Sequence, residues 1–552
     1  MIKNKGILPR FLKKASPAQA IVLIAVAFAG LVAMVGLLTD GGMLLVQYSR
    51  LKRAVDAAAI GAAEQYRKGY NLDDLRNAAK EYLLMNQTNV TLSNITADTC
   101  QSQPGDPVLC QIPLRKLVRV SASQDVNFGF LRVLGFNSTT ISATSIGEAA
   151  SIDLMMVIDS SISMAAQTDY HNNGNSCSGL PYSDSNCAND INPGDDPSVC
   201  NLDNSCEPMA DVKATAQAFA DKLFYPYDRV SVITDTGQTP GGARDPIVVR
   251  KLQSELDSNP SITVAQAATD DQSSVDSAIS GLKAFQPYIC QYQPDPLNAG
   301  SCVLSPSNGP GPCLNYPPAA GDATCANGPT FAGQECPYYR LSSPNDPSTC
   351  NSTNAGGALL MAGNEFTANG GTDPDIKVRK DSFWAVILLL TGTPNSSFPS
   401  TADLASHPYG YCPSTMWGYP LCTQGKINYD IFPPTPQPTP WRHSSGDPNY
   451  SSLDYAMDIA DWVANPKNGV GASIYTIGLG NRVEHSSTAG GTAQADEPER
   501  YMKYAAEYAG TADSAGDPSG ANHGQYYYAP DTSGLTAIFD AIYQNITTRI
   551  SE

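Results

Sequence analysis

The residues of this chain best suited to chemistry are the five of Asp159-Ser160-Ser161-Ile162-Ser163. In this D-x-S-x-S spacing one carboxylate and two hydroxyls leave the same short loop. All three present hard oxygen donors to Mg2+ or a similar divalent cation, directly or through water. Asp159, Ser161 and Ser163 are therefore candidate metal ligands. Other chemistry is poorly provided for. His171, His407, His443, His485 and His523 stand outside any H-E-x-x-H spacing, and neither G-x-S-x-G nor G-x-x-x-x-G-K-[ST] occurs. No catalytic site and no organic cofactor is expected. Asp184, Asp190, Asp195, Asp196 and Asp203 lack the regular D-x-D-x-D-G spacing of a calcium loop and read as solvated loop acids.

The motif needs a strand to deliver it. IDLMMVI, residues 152–158, is a nearly continuous apolar run that leads into Asp159, and further strands read at 229–234, at 383–390, which is fully apolar, and at 472–477. Between them come helical patterns: 209–223 places Val212, Ala216, Phe219 and Leu223 on one face, and the C-terminal segment does the same with Leu535, Ile538, Phe539, Ile542 and Ile546. Nearly continuous apolar strands alternating with amphipathic helices imply an α/β unit, a doubly wound and mostly parallel sheet covered on both faces. Such sheets bind ligands at the carboxyl ends of their strands, where the D-x-S-x-S motif falls.

Placed there, the motif resembles the metal-ion-dependent adhesion site of von Willebrand factor A (vWA) domains. Further matches are Thr353-Asn354-Ala355-Gly356-Gly357-Ala358-Leu359, Ile474-Tyr475-Thr476-Ile477-Gly478-Leu479-Gly480 and Tyr526-Tyr527-Tyr528-Ala529, so the resemblance spans 152–548 with large insertions. It implies a fourth metal ligand, Thr353, and a cation that keeps one coordination position for a partner's acidic group. The chain departs from the family at Thr391-Gly392-Thr393, where Gly392 stands in place of the expected aspartate. With Asp159 as the one anion, such a site would hold metal weakly.

The same alignment puts insertions at 165–207, 286–350 and 396–450, all leaving from the ligand-binding edge. They carry Cys177, Cys187, Cys200 and Cys206, then Cys290, Cys302, Cys313, Cys325, Cys336 and Cys350, then Cys412 and Cys422. With Cys100 and Cys110, which bracket a QSQPGDP turn, these are all fourteen cysteines. Even counts suggest that each block closes on itself by disulfides in an oxidising compartment, with pairing inside the first two blocks left open. Their surroundings are rich in Gly, Pro, Asn and Asp, which points to crosslinked loops rather than to core.

The N-terminal part reads differently. Residues 1–14 hold Lys3, Lys5, Arg10, Lys13 and Lys14 and no acid, and 15–39 hold no charge at all. An apolar run of that length spans a bilayer as a helix. The preceding cations orient it with the N-terminus in the cytoplasm and the rest outside, a single-pass cell-membrane topology. A cleaved signal peptide is the competing reading; its apolar core would be shorter. Beyond the membrane, Asp40-Gly41, Tyr48 and Ala54-Val55-Asp56-Ala57-Ala58-Ala59 resemble the N-terminal region of TadE/TadG-like proteins of Flp (tight-adherence) pilus assembly. A helix continuing past the membrane, a second one at 73–85 and short strands at 108–112, 116–122 and 139–146 then form a small α+β membrane-proximal unit over 40–150. Residues 151–552 form the vWA-like domain.

The formal net charge of −19 excludes nucleic acid as a partner, since phosphate neutralisation needs a basic surface. The expectation is a non-enzymatic, membrane-anchored extracytoplasmic protein whose partner is a protein, either the pilus machinery or a surface ligand. The competing expectations are a pseudopilin-like envelope scaffold with a vestigial metal site and, more remotely, an extracellular hydrolase.

Overall fold

The structure is a computed structural model. It describes residues 17–67, 71–86, 94–165, 197–237, 246–285, 288–294, 302–306, 313–314, 353–394, 397, 452–480, 483, 497–510 and 523–549. The chain divides into two compact units, Met1–Gln111 with Arg115–Ala149 and Ile112–Leu114 with Ala150–Glu552.

The first unit is built on one helix, α1 (Pro17–Arg67), which Gly41 and Gly42 do not interrupt. The large apolar side chains between residues 21 and 38 are exposed, Ile24 and Phe28 by 68% and 69%. Among the described residues α1 is the one helix long and apolar enough to cross a membrane. Its second half buries Leu51, Ala54, Val55, Ala58, Ala59, Ala62, Ala63 and Tyr66. Their spacing of three and four makes a single stripe. Against this half pack α2 (Leu72–Asn86) and an antiparallel sheet of β1 (Ile95–Asp98), β2 (Lys116–Asn127) and β3 (Ser138–Ala149), with β2 in the middle. Helix and sheet meet backbone to backbone at one point: a Cβ on Gly147 of β3 would lie 2.1 Å from the carbonyl oxygen of Ala59.

The strand expected at 108–112 is absent, and turns stand in its place. Asp106 Oδ1 accepts the N–H groups of Val108 and Leu109 at 2.9 and 3.0 Å, and the Cys100–Cys110 disulfide closes the loop as its spacing suggested. Local partners thus take the backbone groups that a strand would offer to a neighbour.

The second unit carries a six-stranded sheet. Its strands are β4 (Ile152–Ile158), β5 (Arg229–Thr234), β6 (Ile247–Arg250), β10 (Phe383–Leu390), β11 (Ser473–Leu479) and β12 (His523–Ala529), in the order β12-β11-β10-β4-β5-β6. Every pairing is parallel except that of the edge strand β6, which runs antiparallel to β5. β4 shows why its sequence has no polar alternation: Leu154, Met156 and Ile158 enter one core and Met155 and Val157 the other.

The first core is closed by α4 (Met209–Ala220), α6 (Val264–Ser280) and α11 (Leu535–Arg549). The second is closed by α7 (Ala355–Phe366), α9 (Ser452–Ala464) and α10 (Glu497–Glu507). Short helical turns α3 (Pro197–Asp203), α5 (Glu255–Ser258) and α8 (Ala368–Gly371) complete the helices named here. Within the second expected insertion, β7 (Tyr288–Pro294), β8 (Cys302–Pro306) and β9 (Cys313–Leu314) form a separate three-stranded sheet in the order β8-β7-β9.

The loop reading of the first insertion needs correcting at its end. Cys200 and Cys206 are bonded to each other, 0% and 2% exposed, and belong to the first core. Cys177, Cys187, Cys325, Cys336, Cys350, Cys412 and Cys422 lie outside the described residues.

At the amino end of β4, opposite the motif, Asp153 is fully buried. It accepts Arg229 Nε and Nη2 at 2.9 and 2.8 Å, a bond from Arg379 Nη2, and the Ser382 hydroxyl at 2.7 Å. Burial alone would raise its carboxyl; the two guanidiniums together outweigh burial and hold it well below the usual carboxylate range.

Candidate functional site

The register of the central strands decides what stands at the sheet's carboxyl edge. Ile158 of β4 lies opposite Thr234 of β5 and Leu389 of β10. The residues that follow, Asp159, Asp235 and the Thr391 loop, therefore leave neighbouring parallel strands at about one level, on strands spaced ~4.8 Å apart. Asp159, Ser161 and Asp235 are 0%, 2% and 0% exposed.

Asp159 and the two motif serines are drawn together, and a residue that the sequence reading left aside joins them. Asp159 Oδ1 accepts the N–H of Ser161 at 2.8 Å. Its Oδ2 accepts both the N–H of Thr391 at 2.7 Å and the Thr391 hydroxyl at 2.6 Å. The Ser163 and Thr391 hydroxyls are 2.6 Å apart, as are those of Ser161 and Ser163. A hydroxyl has one proton, and that of Thr391 goes to Asp159. Ser163 must then donate to Thr391 and Ser161 to Ser163. The three O–H dipoles run in series toward the carboxylate, and this direction leaves oxygen lone pairs at the Ser161 end.

Thr353 is buried two residues ahead of α7, directly before the residue that caps it. Asn354 caps that helix, its Oδ1 accepting the Gly357 N–H at 2.9 Å. Gly392 follows Thr391 directly, and a Cβ there would meet nothing within 4 Å. Fold and packing therefore leave room for the aspartate that this chain lacks.

A second carboxylate stands one strand away. Asp235 Oδ1 accepts the N–H and hydroxyl of Ser160 at 2.8 and 3.1 Å, and the Ser160 hydroxyl also lies 2.6 Å from that of Thr236. Asp235 Oδ2 is buried without a hydrogen-bond partner. Burial first, and then the charge of Asp159, push the Asp235 carboxyl well above the usual range. The signal for it was present in the sequence: β5 is a β-branched run that leads into Asp235-Thr236, an acid at the end of a buried strand. What the sequence lacked was the neighbour relation between β4 and β5.

The donor set suits a divalent cation in kind, being one carboxylate and three hydroxyls, all hard oxygen. It is thin in charge. Among the described residues no group of three or more His, Cys, Asp or Glu side chains is arranged to hold a metal ion.

No protein-family model and no curated protein matches the chain. Solved structures similar to it include proximal thread matrix protein 1 of the mussel byssus, at 10% identity over 71% of this chain and 47% of that one, TM-score 0.27. The same mussel protein with a zinc-occupied MIDAS motif gives 10% identity over 73% and 46%, TM-score 0.26. The adhesive tip pilin GBS104 of Group B Streptococcus agalactiae is 11% identical over 72% of this chain and 99% of its own, TM-score 0.29. The pilus adhesin RrgA of Streptococcus pneumoniae is 10% identical over 82% and 49%, TM-score 0.29. The chain thus spans about half the length of the mussel protein and of RrgA. Superposition this shallow carries no assignment.

Proposed function

We propose that the chain is a membrane-anchored, extracytoplasmic, non-enzymatic binding protein. In this reading α1 is the anchor, and the unit over 40–150 belongs with the TadE/TadG-like group of Flp pilus assembly. The distal unit is a vWA-like domain that binds a protein partner. Asp159, Ser161, Ser163 and Thr353 would hold Mg2+ or a similar divalent cation, with Thr391 as a further hydroxyl. The cation would supply a coordination position for a partner's carboxylate. The observation that supports this best is the convergence of Asp159, Ser161, Ser163 and Thr391 at one carboxyl edge, held by bonds of 2.6–2.8 Å.

Titration calorimetry of Mg2+ and Mn2+ into the full chain in detergent micelles tests the proposal, with Asp159→Ala as control. Heat that the control lacks is expected; no heat at millimolar metal overturns cation binding.

One observation favours a scaffold instead. Both Asp159 oxygens are already engaged by donors of the protein itself, and the hydroxyl series ends on the same carboxylate. Such a closed set can serve to fasten β4 to β10 with no cation. Adhesion by a strain carrying Asp159→Ala and Thr353→Ala separates the two: unchanged adhesion favours the scaffold.

A further inference from the structure

Between β2 and β3 the chain reads FGFLRVLGF, residues 128–136. A carboxylate of α1 fastens this loop. Asp40 Oδ1 accepts the N–H groups of Gly129 and Phe130 at 2.9 and 3.2 Å, and Oδ2 those of Phe130 and Leu131 at 3.0 and 2.7 Å. The Asp40 residue is 3% exposed. Three backbone donors thus offset an acid placed directly after the uncharged stretch 15–39. One helical turn earlier, Phe130 rests on Gly36: a Cβ at that glycine would be 2.7 Å from Phe130 Cβ. The loop closes with a single turn, Leu131–Leu134, ended by Gly135 at φ +94°.

Despite these ties the loop turns its large apolar side chains outward. Phe130, Val133 and Phe136 are 48%, 85% and 62% exposed, and Leu37 and Leu38 of α1 are 60% and 63% exposed. Arg132 between them is exposed as well. Through the contact of Phe130 with Gly36 the exposed apolar surface of the uncharged span adjoins that of the loop. A helix rises about 1.5 Å per residue, so Gly36 and the Phe130 seated on it lie about 4–5 Å inside the last uncharged residue, within the ~5–10 Å depth at which interfacial segments bury apolar side chains.

We propose that residues 129–136 lie in the outer interfacial layer of the bilayer that α1 crosses. Phe130, Val133 and Phe136 enter the acyl boundary, and Arg132 reaches the lipid phosphates, as aromatic and cationic residues do at membrane surfaces. The inference rests on reading α1 as a membrane span. It adds a second point of lipid contact, which with Asp40 fixes the rotation of α1 about its own axis.

The test uses the full chain reconstituted in phosphatidylcholine–phosphatidylglycerol vesicles, with a nitroxide label on Val133→Cys. Labels on Leu31→Cys and on Asp74→Cys of α2 serve as bilayer and aqueous references. Relaxation by oxygen, which concentrates in lipid, is compared with relaxation by a water-soluble nickel chelate. At position 133 the oxygen-to-nickel ratio should match that at 31, with nickel access several-fold below that at 74. Nickel access at 133 equal to that at 74, with 31 still protected, overturns the inference and leaves the span standing; a protein partner would then be the occupant of this face. Nickel access at 31 overturns the span and the inference together.

Discussion

Asp159 and Thr391 join the ends of β4 and β10 through one oxygen, Asp159 Oδ2, which receives both the N–H and the hydroxyl of Thr391 at 2.7 and 2.6 Å. The next residue is Gly392, with open space where its side chain would be. Gly392→Asp should therefore fold normally and add a second carboxylate at this edge. Cation affinity depends on the number of charged ligands, and a gain of about tenfold or more for Mn2+ is expected. Calorimetry on the variant beside the parent chain reads this; equal affinities would mean that the Gly392 loop does not face the cation.

The Asp153 cluster holds a buried carboxylate by two guanidiniums, and removing one leaves charge without compensation. Arg379→Met should destabilise the distal unit by about 3–5 kcal/mol. Because the folded carboxyl is held below its unfolded value, the contribution is present above the ordinary carboxylate range and is lost as pH falls through the folded pKa. Thermal unfolding at pH 7 and at pH 3 should show the gap between parent and variant narrowing in acid.

Asp271 behaves in the opposite sense. Burial raises it to about 6, against bonds from the Ser254 hydroxyl, the Glu255 N–H and Arg250 Nη2 at 2.7, 2.9 and 3.2 Å. The folded state keeps this proton longer than the unfolded state does, so stability falls as pH rises from about 4 to about 6. Asp271→Asn keeps an acceptor for the N–H donors and cannot ionise. It should flatten that window by roughly 1–3 kcal/mol relative to the parent. Denaturant melts at several pH values give the two slopes, and parallel slopes refute the assignment.

Gly147 touches Ala59 where no side chain fits, since both contacting groups are backbone. Gly147→Ala should cost the proximal unit about 1–3 kcal/mol or force β3 away from α1. Gly105, whose Cβ would meet nothing within 4 Å, has a positive φ and so tests strain without a clash. Protease sensitivity of the proximal unit should rise more for Gly147→Ala than for Gly105→Ala.

Much of the fold was written in local pattern. β4 and β10 are legible because a strand buried on both faces is apolar almost throughout, and β5 and β11 because their few polar residues stand among β-branched and aromatic ones. α1 is legible because its span is uncharged and its later half is rich in helix formers. The run at 108–112 misled because five residues of strand-like composition cannot show that Asp106 and a disulfide will hold them in turns. β6 escaped notice because it is a four-residue edge strand. At the site, Asp159, Ser161 and Ser163 could be found from spacing alone. Thr391 and Asp235 could not, since each becomes a neighbour of the motif only through the parallel register of three strands separated by at least 70 residues of chain.

α1 also has a consequence in time. The helix is complete at Arg67, yet Gly147, which covers Ala59, is made eighty residues later. At synthesis rates of about 5–20 residues per second, the buried stripe of α1 waits on the order of 5–20 seconds for its sheet. Five of the eight residues on that stripe are alanine. Alanine is the strongest helix former and offers little apolar area to a wrong partner. The composition that makes a thin core in the finished unit thus keeps the unfinished one helical and slow to aggregate while the rest of the chain arrives.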